Sequence, residues 1–392
     1  MPEINQRRVE QQIRNFSRAL EAYDHSEPFS RFLTKFFKEN KQMGASDRRM
    51  TSRLCYNLFR LGQALPALSV QERLIIAEFL CEETSDVVGL YRPAWLANIS
   101  SPLPDKIDFL AAQGISVREG LFPFSSLLSS GVDAEAFLTS QLVQPDLFIR
   151  VQKHAVHIVE AELTKNGIAF TQEGNHAYRL PNRSNLQALN QIAGLYEVQD
   201  LSSQHSLDFA QVEKNSSWWD ACAASGGKSL LLLEKQFAVN LLVSDVRLSI
   251  LRNLDERFEK ARVNRPYRKK VLDLTENIDH LLHGEQFDGI ILDAPCSGSG
   301  TWGRTPEMIQ QFSVAKIKDF TDLQRKIAKQ AVKFLKPEGQ LIYITCSVFE
   351  EENEGMLQFL QENCGLLVEE QQLIEGYQRK SDSMFAARLR KI

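Results

Sequence analysis

Two cysteines and an aspartate occupy polar motifs at the ends of two predicted strands. Asp293 and Cys296 are separated by an Ala-Pro step, and Cys346 stands between Thr345 and Ser347. Because parallel strands of one sheet end at the same edge, we expect both thiols to face one crevice. A thiolate that adds to carbon 6 of a pyrimidine makes carbon 5 nucleophilic, and a carboxyl group hydrogen-bonded to ring N3 favours that addition. Beside a methyl donor the pair predicts methyl transfer to carbon 5, whereas cysteines that only fill the core are the alternative.

A loop of small residues at 220–228 follows another predicted strand and reads Asp-Ala-Cys-Ala-Ala-Ser-Gly-Gly-Lys. Paired glycines let a ligand approach the backbone, and the helix that follows offers free N–H groups to a carboxylate or phosphate. A nucleotide phosphate loop would need a glycine where this chain has Cys222. An S-adenosylmethionine loop and a purely structural tight turn remain as interpretations.

Two further aspartates end the neighbouring predicted strands. Asp245 lies roughly 20 residues beyond the glycine-rich turn, which is where an acidic side chain grips a ribose diol. Asp273 could lie beside an adenine, although an aspartate that caps a turn is the commoner case. The six cysteines and seven histidines have neither the Cys-x-x-Cys nor the His-Glu-x-x-His spacing of a metal site, so we expect no metal and free thiols.

The elements that must position these residues fall into three predicted segments. Residues 1–125 are predicted to form a helical domain with a linker at its end, and the linker composition continues over residues 114–131. Residues 135–205 are predicted to form a small α+β unit, with strands at 147–151 and 177–180 and a helix at 156–163 between them. Residues 206–392 alternate strand and helix, which predicts an α/β, doubly wound parallel sheet. The proposed strands are 217–221, 241–245, 270–274, 289–293 and 341–345; the helices are 227–237, 247–262, 316–335 and 350–362; a turn at 336–339 stops the third of these helices.

Charge is distributed unevenly along the chain. The formal net charge is -4, which by itself argues against a polyanion partner. Residues 1–60 nevertheless carry 12 Lys or Arg against 7 Asp or Glu, a local charge of +5, which leaves -9 on the rest. This split is compatible with RNA contact through a basic patch or with a solvated helix face. No apolar run is long enough to span a membrane, and the segment from Met1 to Arg8 lacks a signal peptide's apolar core, so we expect a soluble, cytoplasmic protein.

The motifs resemble those of the Sun (also called Fmu) family of S-adenosylmethionine-dependent RNA cytosine-C5 methyltransferases. The resemblance is carried by residues 198–204, 220–228, 293–300 and 345–354. Residues 44–60 are more weakly similar to the NusB-like RNA-binding domain of bacterial members. The resemblance implies a class I, Rossmann-like methyltransferase domain. DNA cytosine methyltransferases attack with the Pro-Cys thiol alone. The presence of two thiols in this chain therefore favours RNA as the substrate.

Residue roles follow from this resemblance. Cys346 would be the nucleophile, Cys296 would help to release the product, and Asp293 would contact the cofactor amine or the target base. Asp245 would hold the ribose and Asp273 would lie near the adenine. The methionine part of S-adenosylmethionine would be held by Cys222, Ala223, Ala224, Ser225, Gly226, Gly227 and Lys228. The family usually has proline at position 225 and Gly-Phe-Phe at 383–385, where this chain has Ser225 and Ser-Met-Phe.

Substrate delivery gives the last set of expectations. A thiol in a crevice reaches only a single-stranded or flipped cytosine, so Trp302 and Arg304 could stack on or clamp that nucleotide, and basic residues at 247–270 could line its path. The leading hypothesis is ribosomal RNA methylation by a monomer. A transfer RNA methyltransferase and a non-catalytic RNA-binding assembly factor for ribosomes are the alternatives.

Overall fold

The computed structural model describes residues 4–182 and 184–392, so Met1, Pro2 and Glu3 of the predicted helical segment lie outside it. The chain divides into two compact units. One comprises the residues up to Ser126, Asp133–Gln144 and Trp302–Ser313; the other comprises Leu127–Val132, Pro145–Thr301 and Val314–Ile392. The short segment Trp302–Ser313 therefore belongs with the helical unit although it lies far along the chain in the segment predicted as the α/β domain.

The α-helices and strands of the described residues are numbered in chain order. The helices are α1 Gln6–Ala22, α2 Phe29–Glu39, α3 Ala45–Arg60, α4 Val70–Cys81, α5 Asp86–Tyr91, α6 Leu103–Ala112, α7 Arg118–Leu121, α8 Ala134–Ser140, α9 Val156–Lys165, α10 Leu201–His205, α11 Gly227–Lys235, α12 Leu248–Lys260, α13 Glu307–Gln311, α14 Ala315–Val332 and α15 Glu354–Cys364. The strands are β1 Leu147–Val151, β2 Thr171–Gln172, β3 Ala177–Leu180, β4 Tyr196–Val198, β5 Ser217–Asp220, β6 Asn240–Asp245, β7 Arg268–Val271, β8 Phe287–Asp293, β9 Leu335–Thr345, β10 Leu366–Ile374 and β11 Met384–Lys391.

The helical unit contains α1–α8 and α13. Some of its helices begin at residues that supply caps: Asn5 accepts a hydrogen bond from the Arg8 N–H at the start of α1, and Ser69 and Glu72 form a capping box at the start of α4. The apolar residues at helical spacing, such as Phe16 and Leu54, are buried. The predicted helical character of the N-terminal region is thus confirmed.

The linker predicted around residues 114–131 includes the chain boundary between the two units, at Ser126 and Leu127, but much of this segment is packed and does not form an irregular linker. The segment contains α7, and Leu121, Phe122 and Phe124 are buried. The ring of Phe122 lies 5.1 Å from that of Phe137 and 5.8 Å from that of Trp302. Glycine, serine and proline marked breaks in periodicity here, but the apolar residues between them pack into a core, which only folding reveals.

The first sheet of the second unit is small and antiparallel, with strand order β2-β3-β1-β4. The strands β1 and β3 have the predicted bounds, and α9 begins at the predicted residue and ends two residues later. Tyr178 from β3 and Val159 from α9 are buried in its core. The third strand to pair with this core, β4, has only three residues, which is too short for a periodicity signal.

The second sheet has seven strands in the order β10-β11-β9-β8-β5-β6-β7. The five strands from β9 to β7 pair in parallel, whereas β10 and β11 form an antiparallel edge. Both faces are covered, since Trp219 and Tyr343 lie in one apolar core and Trp218 and Ile342 in the other. The predicted α/β, doubly wound class is confirmed.

Four of the five predicted parallel strands end within one residue of the predicted position, but two boundaries need correction. β7 covers Arg268–Val271 and not 270–274. The predicted turn at 336–339 lies inside β9, because Leu335 pairs with Phe287 and Gln340 pairs with Gly289. Glu338 adopts φ +61 within this bulge. The backbone therefore has a turn conformation at this position, although the strand continues through it.

The predicted helix at 350–362 is also divided. A 3-10 turn at Glu350–Glu352 is separated from α15 by Asn353, which has φ -109 and ψ -94. Within residues 4–182 and 184–392, no helix is long and apolar enough to cross a membrane.

Candidate active site

The carboxyl ends of four parallel strands bring the predicted site together. Asp220 pairs in register with Val243 on β6 and with Ile291 on β8, and Asp293 pairs with Ile344 on β9. The loops after these strands therefore leave the sheet at one edge, which is where ligands bind in open α/β sheets. These loops carry the cofactor-loop residues, Asp245, Asp293 and both candidate thiols.

The two candidate thiols are neighbours. The Sγ atoms of Cys296 and Cys346 lie 3.4 Å apart, within hydrogen-bond distance for sulfur. Both side chains are half-buried at the tips of β8 and β9. The hydrogen bond to Cys346, together with burial, raises the pKa of the Cys296 thiol well above its ordinary value. Either sulfur can be the donor of this hydrogen bond. The raised pKa favours the neutral form of Cys296, which leaves Cys346 as the better nucleophile of the pair.

A buried carboxyl group joins the two cysteine loops from beneath. Glu352 accepts hydrogen bonds from the Ser297 N–H at 2.7 Å and the Ser297 hydroxyl at 2.5 Å. It also accepts a short hydrogen bond from the Ser347 hydroxyl. Ser299 extends this network, with its Oγ 3.1 Å from that of Ser347. Burial raises the pKa of Glu352, while the donors favour its charged form.

Sequence reasoning assigned no role to this network. Ser347 and Glu352 lie in the motif at 345–354, but an acidic run before a helix is usually solvent-exposed, so its middle member gave no sign of burial. Asn353 adds a second buried link, because its side chain accepts from Thr345 Oγ1 at 2.5 Å and donates to Ser129 Oγ at 3.0 Å. The available signal was spacing alone: Glu352 follows Cys346 within the same motif.

Gly300 allows the Pro-Cys loop to lie against β11. Its N–H donates to the Cys346 carbonyl at 2.9 Å, and its carbonyl accepts from the Ser383 N–H at 2.8 Å. A Cβ atom at position 300 would lie 2.0 Å from the Ser383 carbonyl oxygen, so no other residue fits without a shift of the backbone. Ser383, at a departure from the usual family pattern, is fully buried in this contact.

The loop after β5 has the conformation that small residues permit. Ala224 adopts φ +46 and Gly226 adopts φ +82, both in the left-handed region. The Ala224 N–H donates to Asp245 Oδ2 at 3.2 Å, which ties the loop to the end of β6. Asp245 also accepts from the N–H and Nε of Arg247, at 2.9 and 3.1 Å.

Lys228 connects the loop to the thiol side of the site. Its Nζ lies 3.2 Å from Asp293 Oδ2 and donates to Ser203 Oγ at 2.9 Å. Lys228 is buried, whereas the Asp293 side chain is 31% exposed, so a ligand at this edge can still reach the carboxylate. The structure thus brings two predicted residues together as an ion pair.

Asp220 forms the buried floor of the loop. Ser229 donates a 2.5 Å hydrogen bond to its Oδ2, and burial raises the pKa of Asp220 to about 7. In the described part of the chain, its Oδ1 has no hydrogen-bond partner. A buried orphan oxygen, a left-handed glycine turn and the Asp245 carboxylate suit a ligand that carries an amine and a ribose diol, as S-adenosylmethionine does. The Arg247 side chain beside Asp245 is 61% exposed and is free to move aside for a diol.

Asp273 lies in the turn that follows β7, two residues beyond Val271, the last residue of that strand. It accepts hydrogen bonds from the N–H and the hydroxyl of Thr275, at 2.9 and 2.7 Å. These contacts lower its pKa. The turn-capping interpretation describes its present contacts, and a position near adenine stays a prediction.

Trp302 is not placed as a stacking platform, which corrects the sequence-based expectation. Its side chain is only 1% exposed, and its ring lies 4.9 Å from that of Phe312 and 6.0 Å from that of Phe124. The cause is apolar packing within the helical unit, where a large ring fills the core better than it serves the surface. Arg304 is half-buried in the same unit, and its contact with RNA stays a prediction.

Much of the basic stretch at 247–270 is paired with carboxylates. Arg257 donates to Glu197 at 2.7 Å, Lys269 forms an ion pair with Asp255, and Arg268 and Lys270 bind Glu285 at 2.6 and 3.2 Å. Paired cations contribute less field to the surface than isolated ones. The expected RNA path along this stretch is correspondingly weaker than the sequence indicated.

Comparison with known proteins places this geometry in context. The family described as 16S rRNA methyltransferase RsmB/F matches residues 208–390. Ribosomal RNA small subunit methyltransferase B of Shewanella oneidensis is 37% identical over 170 residues, which cover 42% of this chain and 38% of that protein. The protein of the same name from Pasteurella multocida is 31% identical over 273 residues, covering 64% of this chain and 60% of that protein. The matched part of the chain thus spans less than two thirds of either relative.

Two solved structures share the fold. NSun6 from Pyrococcus horikoshii, solved with SFG, has a TM-score of 0.60 at 18% identity, covering 69% of this chain and 97% of that one. A methyltransferase homologue from Pyrococcus horikoshii has a TM-score of 0.56 at 22% identity, covering 74% of this chain and 99% of that one. At these identities the likeness supports the α/β architecture alone.

Proposed function

We propose that this protein, whose residues 208–390 match the family described as 16S rRNA methyltransferase RsmB/F, transfers a methyl group from S-adenosylmethionine to carbon 5 of a cytosine in ribosomal RNA, in the cytoplasm. The observation that carries the proposal is the pair of thiols 3.4 Å apart at the tips of two parallel strands. Methylation of an amine or a carboxylate needs neither thiol, whereas carbon 5 of cytosine is too weak a nucleophile without covalent activation.

The first half of the reaction uses Cys346 and the Lys228–Asp293 pair. After its proton has left to solvent, the Cys346 thiolate adds to carbon 6. The sulfur–carbon bond forms as the double bond between carbons 5 and 6 breaks, and that electron pair moves toward carbon 5 and ring N3. Lys228 and Asp293 lie 3.2 Å apart. The Lys228 cation would stabilise the negative charge that addition places on ring N3, and the Asp293 carboxylate would accept a hydrogen bond from the N4 amine. S-adenosylmethionine, when bound, would supply the methyl group that carbon 5 attacks, and S-adenosylhomocysteine, which keeps the electron pair of the broken sulfur–methyl bond, would be the leaving group.

The second half depends on Cys296. Before addition, the hydrogen bond to Cys346 raises the pKa of Cys296 and keeps it protonated. Once Cys346 is bonded to carbon 6 its sulfur is neutral, so the pKa of Cys296 falls and its thiolate becomes available as a base after its own proton has left to solvent. Cys296 then takes the proton from carbon 5, the double bond between carbons 5 and 6 returns, and the Cys346 thiolate leaves.

The cofactor would be held by the loop at 222–228 and the neighbouring strand ends. Asp245 would accept the ribose hydroxyls in place of its long contact to Arg247 Nη2 at 3.5 Å. The small residues of the loop would surround the methionine part, whose amine suits the carboxylates at the strand tips. Asp273 would border the adenine.

Bisulfite mapping of ribosomal RNA is the decisive experiment. Cells that lack the protein should lose one or more 5-methylcytosines, and a plasmid-borne copy should restore them while a Cys346→Ala copy should not. An unchanged map in the deletion strain would overturn the proposal. Restoration by the Cys346→Ala copy would also overturn it and would leave a non-catalytic assembly factor. A site lost from transfer RNA alone would retain the chemistry and refute the ribosomal substrate.

A further inference from the structure

One arginine of α12, Arg257, donates a hydrogen bond to the predicted cofactor loop. Arg257 Nη1 donates to Ser225 Oγ at 3.1 Å, and Arg257 Nε donates to Glu197 Oε2 at 2.7 Å. The Arg257 side chain is 24% exposed and that of Glu197 is 12% exposed. A planar guanidinium that donates to two acceptors holds them in a fixed geometry. The ammonium group of a lysine could not reproduce this pair of hydrogen bonds.

The same face of α12 covers the loop through apolar contacts. A Cβ atom at Gly226 would lie 2.8 Å from both Leu254 and Phe258, and one at Gly227 would lie 3.3 Å from Arg257 Nη1. Residues three and four apart share one face of a helix, so Leu254, Arg257 and Phe258 form a single surface against the loop. Arg257 is the polar member of that surface.

The anchor behind Arg257 is a strand. Glu197 lies in β4, where it pairs in register with Arg150 of β1. Arg150 is itself buried and lies 3.1 Å from Glu234 of α11, the helix that follows the cofactor loop. One side of the Arg257 guanidinium is therefore held by a residue of a β-sheet, and the other side contacts a loop without regular structure.

The loop needs such a restraint at this position. Ser225 lies between Ala224 and Gly226, which both have positive φ, and the left-handed region is unfavourable for an alanine. A proline at position 225 would fix its own φ, whereas serine leaves that angle free in the open loop. The side-chain bond from Arg257 supplies a constraint that the serine backbone lacks.

We propose that Arg257 is a positioning residue for S-adenosylmethionine binding: held by Glu197, it fixes Ser225 and with it the loop that surrounds the methionine part. This inference rests on the proposed function for the identity of the ligand. It also removes Arg257 from the set of residues that would line an RNA path. The restraint is predicted to be redundant with a proline at position 225.

The test combines cofactor binding with a measurement on the free protein. Arg257→Met and Ser225→Ala should each weaken S-adenosylmethionine about fivefold in calorimetric titration, and each should speed amide hydrogen exchange in residues 223–227 without cofactor. Ser225→Ala keeps the Arg257–Glu197 ion pair, so it tests the restraint even if Arg257→Met is poorly folded. Arg252→Met, which removes an exposed cation from the same helix, is the matched control for the dissociation constant. Arg257→Lys should fall between wild type and Arg257→Met.

The proline background distinguishes positioning from general stabilisation. In Ser225→Pro, the further change Arg257→Met should alter the dissociation constant less than twofold, because the ring already restrains the loop. An unchanged dissociation constant in both Arg257→Met and Ser225→Ala, or an undiminished effect of Arg257→Met in the proline background, would overturn the inference. A wild-type protein that does not bind S-adenosylmethionine would instead defeat the proposed function, and the hydrogen-exchange comparison would still decide whether Arg257 restrains the loop.

Discussion

The Ser297 N–H donates a 2.7 Å hydrogen bond to Glu352 Oε1 and so joins the loop after β8 to the segment after β9. Each loop carries one of the two thiols, and Glu352 is fully buried between them. Glu352 therefore helps to hold the two thiol-bearing loops together, although it makes no hydrogen bond to either sulfur in the described structure. Glu352 acts as a positioning residue.

Glu352→Gln should lower the free energy of unfolding by roughly 1–3 kcal/mol, because an amide replaces one of the two acceptor oxygens with an NH2 group and so leaves at least one of the existing donors without its acceptor. Methyl transfer should fall with it, since the loops lose their common acceptor. Denaturant unfolding and a transfer assay with S-adenosylmethionine measure the two effects. Glu351→Gln, an exposed neighbour, is the control and should change neither; equal behaviour of the two variants would contradict this role.

Cys346→Ala should abolish methyl transfer, because no other thiol reaches carbon 6 in the proposed reaction. Cys296→Ala should permit addition and methylation but block release, so that a covalent protein–RNA adduct accumulates. Denaturing gels with labelled RNA reveal the adduct. Its absence from Cys296→Ala, together with normal turnover, would exclude the assigned roles, and the double variant should show neither product nor adduct.

Asp220 should make stability depend on pH in a defined window. Its folded pKa of about 7 exceeds the unfolded value of about 3.9, so between these values the folded protein binds a proton that the unfolded chain has released. Its contribution to the free energy of unfolding therefore falls as pH rises from about 4 to 7 and is constant above that.

Asp220→Asn removes this titration. Relative to wild type, the variant should gain stability by up to about 1.4 kcal/mol per pH unit across the window. Denaturant unfolding at several pH values measures the difference. Asp279→Asn changes an exposed carboxylate and should leave the profile of the wild type intact; parallel profiles for Asp220→Asn and wild type would refute the assignment.

Trp302→Ala should destabilise the helical unit by about 3–5 kcal/mol, because it leaves a cavity among packed aromatic rings. Trp302→Phe retains part of the packing and should cost less. Thermal unfolding orders the variants, and filter binding measures RNA affinity in parallel. A loss of RNA affinity in Trp302→Phe without any loss of stability would show that the ring contacts RNA after all.

Several features were predictable from the sequence because they are local. Alternating apolar runs and helix periods located the parallel strands to within a residue at the ends that matter, so Asp245, Asp293 and Cys346 were placed at strand tips correctly. Small residues at 222–228 indicated a tight turn before a helix, and the structure has one. The strand β7 and the bulge in β9 were misplaced because polar strand residues and turn residues give overlapping local signals.

What only the tertiary structure decided concerns partners that are distant in sequence. The sequence determined an α/β sheet with two thiols and a glycine-rich loop at one edge, since hydrophobic period and turn chemistry act over a few residues. It did not determine that Trp302 packs beside Phe122, that Arg257 binds Glu197, or that Glu352 lies beneath both cysteines. Each of these contacts depends on which surfaces pack together when the strands pair and the helices cover the sheet. Residue type alone therefore does not fix which side chains are buried or which charges form ion pairs.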